Sequence, residues 1–229
     1  MFFLIIIGFM VLSMLAGLAL RNRFNAYAKV PLRSGLSGRE VAEKMLRENG
    51  LYDVQVTCVQ GTLTDHYNPM NRTVNLSPEV YSGRSVAAAA VAAHECGHAV
   101  QHATAYPFLQ FRSAMVPIVQ ISTNVINFVF IAALFGGAML GWGSKTALLI
   151  VIVAQSFITL FSLITLPVEF DASRRALVWL NATGLTYGEE HTKATKALSL
   201  AALTYVISAL AAVTTLLYYV LAYMGRSND

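Results

Sequence analysis

Two histidines four residues apart, His94 and His98, enclose Glu95, Cys96 and Gly97. On a helix, positions i and i+4 share one face, so both imidazoles can reach a single metal ion at about 2.0–2.1 Å. Glu95, next to His94, approaches that ion from the side. There a carboxylate can take the proton of a metal-held water, whose pKa zinc lowers toward roughly 7. These residue types at this spacing supply what attack on a peptide carbonyl needs. The bare pattern also falls on ordinary surface helices, where the histidines are simply solvated, but the surroundings here are different. Eight of the nine residues 85–93 are Val or Ala. A histidine–glutamate pair in so apolar a helix needs partners, because an unpaired buried charge costs several kcal/mol. Gly97 in a helix interior costs about 1 kcal/mol relative to alanine. A close neighbour, or space kept for metal or substrate, would account for it.

A catalytic zinc site uses three protein ligands and keeps one position open. The candidates for the third are His66, His102, Glu169 and His191. His102 continues the histidine stripe, but about 12 Å along the axis from His94, and sharing the ion would require a bent helix. It reads as a supporting or packed residue. The chain also lacks the glycine turn of the HExxHxxGxxH pattern. Glu169 is favoured by topology: it ends an apolar run on the side where His94 and His98 are expected, and a carboxylate there needs a partner. Pairing with Arg112, Arg174 or Arg175 is the bland alternative.

The elements that position these residues follow from composition. Of the 229 residues 56% are hydrophobic and 12% charged, about half the charge of a soluble domain. Four apolar runs, 1–20, 117–140, 146–166 and 197–224, are long enough to cross about 30 Å of hydrocarbon. The basic residues near the first run follow it, so it reads as an uncleaved anchor. A turn around 141–145 makes a helical hairpin of the second and third runs. Ten of the sixteen Lys and Arg lie in 21–114 and four in 167–196, leaving Lys145 and Arg226. By the positive-inside rule both large polar segments face the cytoplasm. No basic run of the kind that binds phosphate backbones is present, so nucleic acid is not an expected partner. Cys58 and Cys96 are too far apart in kind and sequence to suggest a disulfide framework.

The segment 21–114 reads as a small α+β domain. Ser37 and Glu40 form a capping-box pattern opening a helix with Val41, Ala42, Met45 and Leu46 inward, which Asn49-Gly50 ends. Val54, Val56 and Cys58 alternate as the inward side of a strand. A turn at residues 68–71 joins 62–67 to Thr73–Leu76 in a hairpin, with Thr73–Leu76 as an edge strand able to take an extended substrate. Ser85 caps a helix over roughly 86–105. Asp65, His66 and Tyr67 form a polar cluster suited either to substrate or transition-state contacts or to turn chemistry. His191, at the start of the last helix, could serve as a transition-state donor. Arg174 and Arg175 suit lipid headgroups.

Three segments carry a family likeness: residues 63–69 (LTDHYNP), 93–101 (AHECGHAVQ) and 166–173 (LPVEFDAS). In this order and spacing they resemble the YugP-like bacterial membrane zinc metallopeptidases, and the likeness runs over nearly the whole chain. The EFDAS stretch is also similar to the EFxAD motif of HtpX-type and CAAX-processing membrane proteases. That resemblance implies zinc as cofactor and Glu169 as the third ligand, a gluzincin-type set with His94 and His98. Ser173 stands where that wider group has an aspartate, with Asp171 as a substitute on another face of the helix. The expected molecule is a mainly α membrane protein with four transmembrane helices and a small cytoplasmic α+β zincin-like domain carrying the HExxH helix. It would sit in the bacterial cytoplasmic membrane, contact the lipid bilayer, cleave a polypeptide substrate, and leave room for a membrane-protein partner or an oligomer. The alternatives are a non-enzymatic scaffold with a structural metal and a site-2-type intramembrane protease. Against the latter, no span carries an LDG motif.

Overall fold

In the computed structural model, Ser37 caps helix α2 (Gly38–Glu48). Its hydroxyl accepts from the Glu40 amide while the Glu40 carboxylate accepts from the Ser37 amide. This satisfies two otherwise orphaned donors and fixes where the helix begins. The α2 face of Val41, Ala42, Met45 and Leu46 is buried, and Gly50, at φ 73°, turns the chain out. Ser85 likewise accepts from the Ala88 amide to open α4 (Val86–Ala103).

The structure describes residues 2–136 and 145–225. The expected turn at 141–144, residues 137–140 of the second apolar run and Arg226 lie outside the described residues. In chain order the elements are α1 (Phe2–Ala28), α2, β1 (Gln55–Cys58), β2 (His66–Asn68), β3 (Thr73–Leu76), α3 (Pro78–Tyr81), α4, α5 (Pro107–Gly136), α6 (Lys145–Ala182) and α7 (Glu189–Gly225). The protein is mainly helical. Four helices, α1, α5, α6 and α7, are long and apolar enough to cross a membrane.

All four extend beyond the apolar runs that mark them. The first helix continues through Arg21 and Arg23 to Ala28, and α7 begins at Glu189. The segment 167–196 is therefore mostly helix, the end of α6 and the start of α7. Polarity changes along a helix without ending it, because the backbone hydrogen bonds do not depend on what the side chains contact.

The chain forms two compact units. One comprises Met1–Met14, Gln110–Leu166 and Tyr205–Asp229; the other comprises Leu15–Leu109 and Pro167–Thr204. In the first, Gln155 and Thr159 of α6 both donate to the Ala212 carbonyl of α7, at 3.4 and 3.2 Å. In the second, α4 is the core: Ala87–Ala90, Ala92, Ala93, Cys96 and Ala99 are all buried, among Val41 and Met45 of α2, Val74 and Leu76 of β3, and Ala176 and Leu180 of α6. Its run of alanines is thus a matter of close packing by neighbours rather than of lipid exposure.

The sheet corrects one expectation. Its order is β1-β3-β2, with β1 parallel and β2 antiparallel to β3. Thr73–Leu76 is therefore the central strand, buried at all four residues, and cannot accept an added strand. The edges are β1 and β2. A second correction concerns Cys58, expected on the inward side of its strand and found exposed.

Candidate metal centre and active site

Helix α4 presents His94 and His98 one turn apart, their rings 4.8 Å between centroids and nearly perpendicular. Against them stands Glu169 of α6. Its Oε2 lies 3.4 Å from His94 Nε2 and 3.6 Å from His98 Nε2. Ligands at about 2.0–2.1 Å from a tetrahedral ion are themselves roughly 3.3–3.4 Å apart. The two carboxylate–imidazole separations are thus close to those one zinc would impose, and the three donor atoms all lie within 4.8 Å of one another. The side chains are 13%, 12% and 4% exposed respectively.

Each histidine is turned by a partner on its other nitrogen. His94 Nδ1 is 3.1 Å from Ser173 Oγ, and His98 Nδ1 is 3.0 Å from Gln101 Oε1. In the tautomers with Nδ1–H donating to these oxygens, both Nε2 atoms carry lone pairs and face a carboxylate oxygen. That oxygen, Glu169 Oε2, is buried and has no hydrogen-bond partner. Three such atoms converging in a dry place need a proton or a cation between them. Two imidazoles and one carboxylate are a donor set that suits zinc, and the residues fit the ion. Burial alone would lower the His98 pKa; the carboxylates of Glu169 and Glu95 outweigh it and raise the value above that of an ordinary imidazole.

Glu95 points elsewhere than the ligands. Its Oε2 accepts the backbone N–H of Tyr67 at 3.0 Å, so edge strand β2 holds this carboxylate in place. The Tyr67 hydroxyl lies 2.9 Å from His102 Nδ1, which gives His102 a packing partner on β2. Cys96, though inside the motif, faces the core, where its thiol donates to the Ala42 carbonyl at 3.6 Å. Burial pushes that thiol's pKa well up, so it is an inert apolar group here.

Among the described residues the group of converging donors is His94, His98 and Glu169, and the other sequence candidates have partners of their own. His66 is exposed, with Nδ1 2.8 Å from the Thr64 carbonyl. His191 Nδ1 is 3.1 Å from Thr186 Oγ1. Asp65 accepts from the Ser77 amide and hydroxyl at 2.8 and 3.1 Å and ties the β2 segment to the end of β3. Arg174 and Arg175 are each 2.5 Å from the Asp171 carboxylate. That pairing leaves Glu169 without an arginine among the described residues.

Gln101 and the Ser173–His94 contact were not foreseen from the sequence. Only one sign pointed to Gln101: an amide three residues beyond His98 on an apolar helix, where a buried polar group must have partners.

Gly97 is the point of closest approach between α4 and α6. A Cβ built there would lie 2.6 Å from the Ala172 carbonyl oxygen and 3.1 Å from its carbon. Both are backbone atoms and cannot swing aside. Gly97→Ala is therefore expected to destabilise the protein by about 1–3 kcal/mol through overpacking, despite alanine's better helix propensity. A thermal melt of the purified variant at or above the wild-type midpoint would refute this contact.

A family model described as "Putative neutral zinc metallopeptidase" matches residues 2–224. The chain belongs to this family. It is 42% identical over 229 residues to "Putative membrane protease YugP" of Bacillus subtilis (strain 168), covering 100% of this chain and 99% of that protein. No solved structure matches. The likeness carried by the three motifs thus extends over the whole chain; the family's description is of a zinc metallopeptidase, and the relative's name is that of a membrane protease.

Proposed function

We propose that this family member is a zinc-dependent endopeptidase that hydrolyses membrane or membrane-proximal polypeptides at the cytoplasmic face. The observation that carries the reading is the convergence of His94 Nε2, His98 Nε2 and the partnerless Glu169 Oε2 beside a separately held Glu95. The four apolar helices support the membrane setting, and the Lys and Arg distribution supports the orientation.

In this mechanism His94, His98 and Glu169 hold the zinc. When bound, zinc polarises the scissile carbonyl and makes water acidic enough to lose a proton near neutral pH. Glu95 takes that proton as the water oxygen attacks the carbonyl carbon, then passes it to the departing amine nitrogen as the C–N bond breaks. The Tyr67 amide keeps the carboxylate aimed during both transfers, while Ser173 and Gln101 keep the imidazoles turned toward the ion. Of the three proposed substrate or transition-state contacts, Tyr67 donates its backbone N–H to Glu95, while His66 and His191 have Nδ1 against Thr64 and Thr186.

The burial of α4 within its own unit speaks against the intramembrane site-2 reading, because its apolarity serves core packing. A structural metal would need neither an open ligand position nor a poised carboxylate, which speaks against the scaffold reading. The test is cleavage of a quenched casein-type substrate by detergent-purified protein. A chelator should abolish cleavage and stoichiometric zinc restore it. Cleavage unchanged by the chelator, or none with zinc bound, would sink the proposal.

A further inference from the structure

We infer that Gln101 is a positioning residue for the metal centre, acting through His98 and locked in place by Asp171; the inference rests on the reading of His98 as a ligand. Gln101 is fully buried, at 0% exposure, and lies one turn beyond His98 on α4. Its Oε1 lies 3.0 Å from His98 Nδ1. Its Nε2 donates to the Val168 carbonyl at 2.8 Å and to Asp171 Oδ2 at 3.0 Å.

These contacts determine which end of the amide is which. Both hydrogens of the NH2 group go to obligate acceptors, a carbonyl and a carboxylate. Turning the amide over would set its oxygen against both of them, so the flipped state is excluded. Oε1 must therefore be the acceptor toward His98, and His98 Nδ1 must be the donor. The lone pair is left on Nε2, the nitrogen that faces Glu169. One side-chain amide thus selects the tautomer in which His98 can bind a metal.

The lock has its own support. Asp171 is buried, at 8% exposure, and Arg174 and Arg175 balance its charge. With the carboxylate fixed and ionised, the Gln101 NH2 group has a standing partner. Val168 also precedes Glu169 directly, so the bond to its carbonyl ties the backbone that bears one ligand to the side chain that aims another. Gln101 therefore sets both the orientation of His98 and its register with Glu169. A glutamine serving only to fill space would need neither the polarity nor these three partners.

The test compares Gln101→Met with Gln101→Glu in the detergent-purified full chain. Zinc affinity is read by chelator competition, ligand geometry by the absorption spectrum of the Co2+-substituted protein, and folding by circular dichroism. Methionine keeps the volume and removes all three contacts. Glutamate also disrupts the contacts to Val168 and Asp171 but keeps an acceptor for His98 Nδ1–H. We expect zinc affinity to fall roughly 10–100-fold in the methionine variant, the range for a lost supporting contact, with an altered Co2+ spectrum. The glutamate variant should lose less than the methionine variant but more than nothing, because it keeps the acceptor for His98 Nδ1–H while setting an oxygen against the Val168 carbonyl and the Asp171 carboxylate.

Equal losses in the two variants would overturn the inference, leaving Gln101 a packing residue; so would wild-type affinity in the methionine variant. If the methionine variant fails to fold, Gln101→Leu takes its place, and wild-type zinc affinity in that folded variant is the overturning result. His98→Ala separates the two levels. Loss of zinc there with full retention in Gln101→Met refutes only the positioning role, whereas full retention in His98→Ala refutes the ligand reading and the positioning role together.

Discussion

Glu95→Gln is expected to keep its zinc and lose its proteolysis. The amide is isosteric with the carboxylate, and its oxygen can still accept the Tyr67 N–H that holds Glu95, so local geometry survives. What disappears is the group able to take a proton from water. General-base catalysis contributes about 10²–10⁴-fold, equivalent to roughly 3–5.5 kcal/mol of barrier at 1.36 kcal/mol per decade. Turnover of the casein-type substrate should fall by that factor while metal analysis still finds zinc in the variant. A variant that cleaves within a few-fold of wild type would place the base elsewhere in the chain. A variant that loses both zinc and cleavage would show that Glu95 holds metal, and the proposed division of labour would be wrong.

The second large effect is expected at the ligands. Glu169→Gln and His94→Ala should each weaken zinc by more than the roughly 10–100-fold that a lost supporting contact costs. In Glu169→Gln the change also removes a buried negative charge that has no hydrogen-bond partner on Oε2. In the zinc-free protein that charge lies against His94 and His98, so deleting it should leave the metal-free variant no more stable than metal-free wild type. Two readouts therefore separate: the midpoint of the zinc-free protein holds or falls, while the gain on adding zinc vanishes. That gain in wild type is about 2.7 kcal/mol at one hundred times Kd, readable as a shift in thermal melting. If Glu169→Gln still gained the wild-type shift, the third ligand would have to be sought among residues such as His66 or His191.

The features legible in the sequence were those decided within a turn or two of chain. The capping box at Ser37 and Glu40, the buried face of α2 and the i, i+4 placement of His94 and His98 follow from helical periodicity, which repeats every few residues whatever surrounds it. The four long apolar helices follow from composition over about twenty residues. Their ends did not, because hydrophobicity marks the part suited to lipid while hydrogen bonding carries α1 on to Ala28 and α7 back to Glu189. The strand order was out of reach for a different reason. Thr73–Leu76 has the local character of any short strand. Only its parallel pairing with Gln55–Cys58 makes it central, and that pairing joins residues 18 apart.

By itself, then, the sequence determined the pair of histidines, the acid between them, the family likeness and the helical character of the chain. Tertiary packing decided what faces the histidines. Glu169 is 71 residues from His98, and Ser173 is 79 from His94. They meet because α4 lacks a side chain at Gly97 where the Ala172 backbone crosses. The same crossing turns Asp171 to Gln101 and its two arginines. Such contacts depend on where two helix surfaces touch and at what rotation, which no spacing within either helix encodes. The physical reason is that a helix fixes the directions of its own side chains, whereas the partner of each direction is fixed only when another surface is packed against it.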